Sequence, residues 1–479
     1  MVTLQPGISA SGTVQGGEDP RDPPAAFVPW VPDPREGLPN RLSTLYFLNR
    51  NPIRLLTRRH YSQPFVRNRM FGLSAVFLND PDMIRHVFVD GRANYGIDPI
   101  RKLLLSRNFG RGIATVEGDD WHGARKAASP YFTSRKLEEY GETFLDVACA
   151  HCRAVPPSAP VSLVAFVSDI TFECAMRCLF SVQADNGFRP AIEANSVCME
   201  KGMTLDLMDI WRMPLGVPRL FKKSLRAYQA RYRDHVEAML RARLDRISRS
   251  ASGLDDLMTG YQDHYLSDRA RDGGVVAALD NIGTMLGAAF DSTTQALAWT
   301  VYFLTRSPAA MKAVRDEIDG ADAAVAPHLW TARLPRTLAA LRETLRVYPT
   351  LPAISRYALD DDEIGGQRVR RGEFVVANIW AMHRDPSHWH RASDYLPDRF
   401  LPGGDGAGEV QRYMPFGIGP RACIGRHFAE IEAVIVLATL LRSFDFAPAG
   451  ASPPRPVWRG TLRSDNGIPM MIARRRRFN

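Results

Sequence analysis

The segment Pro415-Phe416-Gly417-Ile418-Gly419-Pro420-Arg421-Ala422-Cys423-Ile424-Gly425-Arg426 decides the fold of this chain. It places one cysteine in a glycine-rich loop, directly before an apolar helix predicted from about Gly425 to Phe444. The glycines permit backbone conformations that a Cβ atom disfavours, and they let the main chain approach a flat ligand closely. The N–H groups and the dipole at the helix start favour a thiolate over a thiol. The loop therefore predicts a sulfur ligand for a metal ion, with Arg421 suited to a carboxylate of the bound group.

This loop resembles the haem loop of cytochromes P450, which has the pattern F-x-x-G-x-R-x-C-x-G. Each specified position is matched, by Phe416, Gly419, Arg421, Cys423 and Gly425. The resemblance implies that Cys423 is the axial ligand of the iron of haem b. It also implies cofactor contacts at Phe416, Gly417, Arg421 and Gly425. Taken alone, the loop is also compatible with a buried structural cysteine.

Two further motifs follow the family order. Glu343 and Arg346 are three residues apart, which puts them on one face of a helix. By themselves they are typical of a surface ion pair that contributes little stability. However, Arg399 follows in the segment Pro397-Asp398-Arg399-Phe400. In the family an E-x-x-R pair and an arginine of this kind lock the region behind the haem, so the predicted role is scaffolding and haem retention.

Three more residues are predicted at the haem propionates. Trp121 and Arg125 form W-x-x-x-R, one helical turn apart, where a simple stacking pair is the other interpretation. The resemblance implies propionate contacts from both residues and from Arg356. The segment from His383 to Pro386 also resembles a family segment, and we assign it a structural role.

The segment from Gly287 to Thr294 interrupts a long apolar helix predicted near residues 275–304. A buried acid is costly unless it is hydrogen-bonded or functional, and serine or threonine can bond the carbonyl four residues back. The segment resembles the oxygen-activating A-G-x-[DE]-T-T helix of the family, with Asp291, Ser292 and Thr293 as catalytic residues. Ala289 replaces the usual glycine, and Ser292 replaces the first threonine.

Serine at position 292 keeps the hydroxyl group but loses the β-methyl that restricts χ1. We therefore expect oxygen activation to survive, with more release of peroxide. A shift of one residue, in which Thr293 takes this role, is the alternative.

The amino-acid composition limits the classes of protein to which the chain can belong. The chain has 479 residues, of which 45% are hydrophobic and 24% are charged, as in an ordinary globular protein. The net charge is +9, but the arginines are spread along the chain, which argues against nucleic-acid binding. The excess of arginine over lysine predicts a bacterial source. The run Arg474 to Arg477 is interpreted as a solvated tail, with attraction to a membrane surface as the alternative.

No transmembrane anchor and a cytoplasmic location are expected, because residues 1–26 lack an apolar signal region and polar residues interrupt the apolar helix. Cys149 and Cys152, with Cys174 and Cys178, are interpreted as structural thiols; a zinc site is the less favoured alternative.

The predicted fold is mainly α (α+β), a triangular helical body with a small β-rich lobe. We expect a flexible N-terminal tail over residues 1–34 and a cytochrome P450 haem domain over residues 35–479. Strands are predicted near 65–78 and 363–379, and helices dominate from 121 to 349.

The resemblance implies a haem-thiolate monooxygenase that inserts one oxygen atom of O2 into a lipophilic small molecule, terpenoid- or fatty-acid-like. Because no flavin or iron–sulfur domain is visible, the expected electron donors are a separate ferredoxin and ferredoxin reductase. A basic docking face is predicted at Arg125, Lys126, Arg342, Arg412 and Arg426; structural roles for these residues are equally compatible. A haem-thiolate isomerase, dehydratase or peroxygenase is the alternative, and a non-enzymatic haem sensor is a further one.

The substrate pocket is predicted near residues 94–113, 205–221, 284–290, 351–354 and 463–468. A lid is expected at Met208, Ile210, Trp211, Met213 and Leu215. Arg101 and Arg463 are expected at the surface, with binding of a substrate carboxylate as the other interpretation.

Overall fold

The computed structural model describes residues 26–183, 189–203, 209, 225–249, 254–266, 273–322, 324–404, 406 and 412–475. Within them the chain is mainly helical with small β-sheets, as the sequence predicts. The predicted lid lies outside the described residues, as do residues 1–25 of the predicted tail. No helix of the described part is long and apolar enough to cross a membrane.

The helices begin and end as follows. They are α1 Arg41–Arg50, α2 Arg59–Ser62, α3 Pro81–Arg85, α4 Pro99–Phe109, α5 Gly118–Ala128, α6 Ser134–Ala154, α7 Leu163–Phe180, α8 Arg189–Gly202, α9 Leu225–Arg249, α10 Leu257–Leu266, α11 Gly274–Arg306, α12 Pro308–Gly320, α13 Trp330–Arg333, α14 Pro335–Val347, α15 Ile379–Met382 and α16 Arg426–Ser443. Short 3₁₀ segments lie at Pro52–Leu55, Arg92–Asn94, Ser129–Phe132, Pro327–Leu329 and Pro397–Phe400, and a π-helical turn lies at His86–Asp90.

The strands form small sheets. They are β1 Phe65–Met70, β2 Leu73–Leu78, β3 Tyr95–Ile97, β4 Ser158–Ser162, β5 Ile354–Ala358, β6 Asp362–Ile364, β7 Gln367–Val369, β8 Phe374–Ala377, β9 Phe444–Pro448, β10 Pro456–Arg459, β11 Thr461–Ser464 and β12 Pro469–Arg474.

The main sheet has the strand order β1-β2-β8-β5-β3. Strand β8 runs parallel to β2, with Ala75 opposite Phe374, while its other neighbour β5 is antiparallel. The remaining sheets are β4-β12-β9, β10-β11 and β6-β7. The predicted strands near 65–78 and 363–379 are therefore confirmed, but their pairing joins segments about three hundred residues apart along the chain.

Helix α11 forms the centre of the core and packs against α7, α10, α14 and α16. Its apolar residues are buried along most of its length. The buried polar groups near its start are satisfied: Asp280 accepts the N–H of Arg111 at 2.7 Å, and Asn281 accepts that of Ile113 at 2.8 Å. These bonds attach the segment after α4 to the helix.

The predicted tail through residue 34 extends too far. Phe27 packs against Tyr302 and Phe303 of α11, and its carbonyl accepts the N–H of Tyr395 at 2.9 Å. Because the ring of Phe27 packs against the core, this segment has a fixed position, although the proline-rich composition around it is typical of a linker.

The predicted lock of Glu343, Arg346 and Arg399 is assembled in the interior. Both carboxylate oxygens of Glu343 accept from Arg346, at 2.7 and 2.8 Å, and Arg399 approaches at 3.1 Å. All three side chains are buried. Arg346 also donates to the carbonyls of His383 and Ala392. The two guanidinium groups share this one carboxylate, and their other N–H groups donate to main-chain carbonyls, which satisfies the donors that a buried ion network requires.

His383 connects this network to the cysteine loop. Its Nε2 accepts the N–H of Met414 at 3.0 Å, so the proton sits on Nδ1, which lies 3.1 Å from the carbonyl oxygen of Arg346. The carbonyl of Met414 in turn accepts the N–H of Gly417. Burial, reinforced by Arg346, lowers the pKa of His383 from 6.5 to about 3, so the imidazole is neutral in the folded protein.

Because His383 is neutral in the folded protein, we expect the protein to lose stability in acid. The unfolded chain binds a proton below about pH 6.5, whereas folded His383 does so only near pH 3. The contribution of His383 to the free energy of unfolding is therefore fully present above about pH 6.5. It falls by about 1.4 kcal/mol for each unit that the pH drops below that value. In urea unfolding, His383→Gln should lose less stability than the parent between neutral pH and pH about 5.

Exposed His427 lies outside this buried network, so His427→Gln is the matched control for replacing an imidazole by an amide. His60, whose pKa is lowered to about 4 mainly by burial, adds the same trend to all three proteins. If the free energy of unfolding fell equally with pH in His383→Gln and in the parent, the assignment of a neutral His383 in the folded protein would be contradicted.

Candidate active site

The cysteine loop is closed by main-chain hydrogen bonds. The N–H of Cys423 donates to the carbonyl of Phe416 at 2.9 Å, and the N–H of Ala422 donates to that of Gly419 at 3.0 Å. Gly419 has a φ of +78°, and a Cβ there would lie 2.2 Å from the carbonyl oxygen of Phe88. Only glycine fits this position, because the main chain of the loop contacts the main chain of the π-helical turn.

Gly425 does not meet the expectation for a constrained glycine. Its φ is −89°, and the nearest atom to an added Cβ is a ring carbon of Phe132 at 3.6 Å. Its backbone conformation is thus available to any residue, and what it contributes is a hydrogen bond from its N–H to the sulfur of Cys423.

Cys423 is accessible and yet enclosed. Its side chain is exposed, while burial raises the pKa of its thiol, only partly offset by Gly425, Arg125 and Arg426. These two properties are compatible when the sulfur faces a space inside the protein. A bound metal cation would supply the positive charge needed to hold the thiolate.

Helix α11 has an accessible strip in its middle. From Ala278 to Leu304 every residue is buried except Ala288, Ala289 and Ser292. These three positions share one face of the helix. The predicted groove is therefore present as a strip of small side chains beside open space.

Asp291 is held on another side of the helix. Its Oδ1 pairs with Arg463 at 2.6 Å, and its Oδ2 accepts from the hydroxyl of Thr461 at 2.8 Å. Arg463 also donates to Ser196 of α8 at 3.0 Å. The expectation that Arg463 lies at the surface is wrong, because its side chain is only 12% exposed and binds a carboxylate of the protein itself.

The two hydroxyl residues differ in environment. Ser292 lies on the accessible strip and donates to the carbonyl of Ala288 at 3.0 Å. Thr293 is buried and faces the carboxyl group of Glu432, whose pKa is raised well above its usual range by burial. The position of Thr293 does not favour the shifted register, because its hydroxyl is directed into the packed interior.

Three arginines surround the loop without a carboxylate partner. Among the described residues, Arg125, Arg356 and Arg421 form no ion pair. Arg125 donates to the carbonyl of Ala422 at 3.1 Å, and Arg421 lies 4.7 Å from the ring centre of Trp121. Burial, with the nearby Arg101 and Arg421, lowers the pKa of Arg356 from 12.5 to about 10.

This donor set fits a haem. The fit rests on an accessible interior sulfur and on partly buried guanidinium groups that lack anions, as expected if porphyrin carboxylates complete the site. The structure therefore brings the predicted cofactor residues to one region around Cys423.

A cytochrome P450 family model matches residues 32–468. The chain belongs to the cytochrome P450 family. Protein LUTEIN DEFICIENT 5, chloroplastic, of Arabidopsis thaliana is 24% identical over 426 residues, which cover 84% of this chain and 70% of that protein. The self-sufficient cytochrome P450 monooxygenase CYP505U2 of Exserohilum turcicum is 28% identical over 361 residues, covering 72% and 33%. The crystal structure of the cytochrome P450DA heme domain superposes with a TM-score of 0.77 at 21% identity, covering 93% and 99%.

This cytochrome P450 is accordingly an oxidoreductase, a haem-thiolate monooxygenase in the general sense of the family. Sequence reasoning missed Thr461, Glu432 and the role of Arg463. A signal for Glu432 is present, since it is an acid within the apolar run of α16. For Arg463 and Thr461 the sequence holds no such signal, because their partner Asp291 lies about 170 residues away.

Loss of Arg463 should destabilise the protein, because it leaves the carboxylate of Asp291 buried and unpaired. We expect Arg463→Gln to lower the free energy of unfolding by about 3–5 kcal/mol. Adding Asp291→Asn should restore part of this, as a double-mutant cycle in urea would measure.

Arg459→Gln is the matched control on the neighbouring strand. Its pair with Glu200 is more exposed, so the change should cost less than about 1 kcal/mol. Similar small effects of both substitutions would show that the interior pair does not matter for stability.

Proposed function

We propose that this cytochrome P450 binds haem b through Cys423 and inserts one oxygen atom of O2 into a lipophilic small molecule, with electrons from a separate ferredoxin and ferredoxin reductase. The observation that carries the proposal is the enclosed but accessible sulfur of Cys423. The strip of Ala288, Ala289 and Ser292 supports it.

The thiolate of Cys423 binds the iron of the cofactor, and the guanidinium groups of nearby arginines bind its carboxylates. When bound, a thiolate-ligated haem supplies oxygen activation with cleavage of the O–O bond. Arg356 and Arg421 hold the propionates, assisted by Trp121 and Arg125. Phe416, Gly417 and Gly425 line the loop on the sulfur side.

Proton delivery is assigned to Asp291 and Ser292. The hydroxyl of Ser292 holds a proton on the accessible strip, and it can turn from the Ala288 carbonyl towards the open space. The carboxylate of Asp291 takes part through this hydroxyl or water once its bonds to Arg463 and Thr461 open, as general acid–base catalysis requires. Thr293 has at most a supporting part, since it is buried against Glu432.

A lipophilic substrate is supported by an apolar cavity of about 340 Å³. Two of the predicted pocket segments contribute to it, with Ile100 and Leu104 from one and Leu351 and Pro352 from the other. A terpenoid- or fatty-acid-like compound suits such a lining.

The electron donor is proposed from charge. Of the predicted docking residues, Lys126 is exposed, while Arg342 pairs with Glu430 at 3.0 Å and Arg125 is used in the cysteine loop. An acidic ferredoxin suits the net charge of +9. The cytoplasmic location and bacterial source stay predictions.

The test uses the purified haem-loaded enzyme and compounds that shift the haem spin state. With ferredoxin, ferredoxin reductase and NADPH, isotopically labelled dioxygen should enter the product. Cys423→Ala should abolish both this reaction and the thiolate spectrum of the carbon monoxide complex, because no sulfur would remain to bind the iron. Cys149→Ala, at a partly buried thiol distant in sequence, should preserve both.

Other outcomes identify other functions. Product formation with peroxide alone, and none with ferredoxin, would favour the peroxygenase alternative. Absence of any substrate-dependent NADPH consumption would favour a haem sensor. A thiolate spectrum that survives in Cys423→Ala would overturn the assignment of the ligand.

Ser292→Thr should release less peroxide per NADPH consumed than the parent, because the added β-methyl restricts χ1 of the hydroxyl. The ratio of peroxide to product in the ferredoxin assay measures this. An unchanged ratio would refute a role for the conformational freedom of the serine.

A further inference from the structure

The apolar cavity lies between α1, the β1–β2 hairpin, α4 and the β10–β11 hairpin. Its lining is largely aliphatic and aromatic, including Leu48, Phe77, Leu104, Met203, Phe374 and Trp458. Few charged side chains line it. Within the described part of the chain they are Asp98, Arg101 and Arg459.

Arg459 and Asp98 have partners within the protein. Arg459 pairs with Glu200. One oxygen of Asp98 accepts the main-chain N–H groups at the start of α4, at 2.8 and 3.0 Å, and the other accepts the hydroxyl of Ser355 at 2.5 Å. Asp98 thus caps the helix that carries Arg101.

Arg101 has no such partner. Its guanidinium forms no side-chain hydrogen bond or ion pair with any described residue, although it lines the cavity. Burial lowers its pKa, and the nearby charge of Asp98 compensates only in part. Arg101 is partly buried, and a cation beside apolar surface is costly when no hydrogen-bonded anion compensates it, so the site favours an anionic ligand.

The ligand chemistry is that of a carboxylate, which matches the planar fork of a guanidinium. Two sources exist, a substrate and a haem propionate. Ser355 lines the cavity with Arg101. Arg356, the next residue of β5, projects to the opposite face of the sheet, where it stacks on Phe88 at 4.6 Å. Although Arg101 is close enough to Arg356 to lower its pKa, Arg101 lines the apolar cavity and Arg356 does not, which favours the substrate.

We propose that Arg101 binds the carboxylate of an amphipathic substrate whose apolar part fills this cavity. The proposal rests on the proposed monooxygenase function and narrows its substrate class to lipophilic acids.

The test compares acids with their esters in the haem-loaded enzyme. Octanoate, dodecanoate, hexadecanoate and abietate, each with its methyl ester, are titrated against the haem spin state and in equilibrium dialysis. The parent should bind at least one acid more tightly than its ester. Arg101→Gln should weaken binding of that acid by about 10- to 100-fold, as expected for loss of a charged hydrogen bond. The affinity for the ester should stay unchanged.

Arg459→Gln is the matched control, because this arginine lines the same cavity but is already paired. It should preserve the preference for the acid. Failure of every acid to bind, or equal binding of acid and ester by the parent, would overturn the proposal. A loss of haem content in Arg101→Gln with unchanged acid preference would assign Arg101 to a propionate instead, and would also overturn it.

These outcomes are distinct from failure of the proposed function. Oxygenation driven by ferredoxin without any preference for acids would leave the monooxygenase proposal standing. Acid-selective binding that depends on Arg101, without oxygenation, would support the role of Arg101 and contradict the monooxygenase proposal.

Discussion

The carboxylate of Glu343 is fully buried and is compensated by the guanidinium groups of Arg346 and Arg399. Removing Glu343 would leave two interior guanidinium groups without an anion, so this network tolerates little displacement of its carboxylate. Through His383 and Met414 its hydrogen bonds reach Gly417. The loop that carries Cys423 is therefore fixed from behind by the most completely buried ions of the described chain, and the accessible side of the sulfur is left free for a ligand.

Interior charges elsewhere are compensated in different ways. Asp291 is paired with Arg463, which ties α11 to β11 and α8. No cation of the described residues pairs with Glu432, and burial raises its pKa so that it keeps its proton. Arg101 is neither paired nor neutralised within the described protein. Since an arginine cannot readily lose its charge, Arg101 is, like Arg356 and Arg421, a position that favours an external anion.

Sequence reasoning reached the cysteine loop because its spacing is local: Phe416, Gly419, Arg421, Cys423 and Gly425 lie within ten residues. It also predicted the bounds of α11 and α16 from apolar runs, and the strands around 65–78 and 363–379 from their alternation. It misplaced Phe27 in a flexible tail and Arg463 at the surface. In both cases composition near the residue was typical of solvent, while the partner that buries it lies far along the chain.

By itself the sequence determined the family and the helical character, and it predicted Cys423 as the metal ligand, because those inferences depend on residues within one loop or one helix. Only the tertiary structure decided which charges are neutralised. Asp291 pairs with Arg463, Thr293 contacts Glu432, and Arg101 lines an apolar cavity, through contacts between segments that are distant along the chain. The physical reason is that the free energy of a charge depends on its surroundings in three dimensions, through burial and distance, and neither quantity is encoded in local spacing.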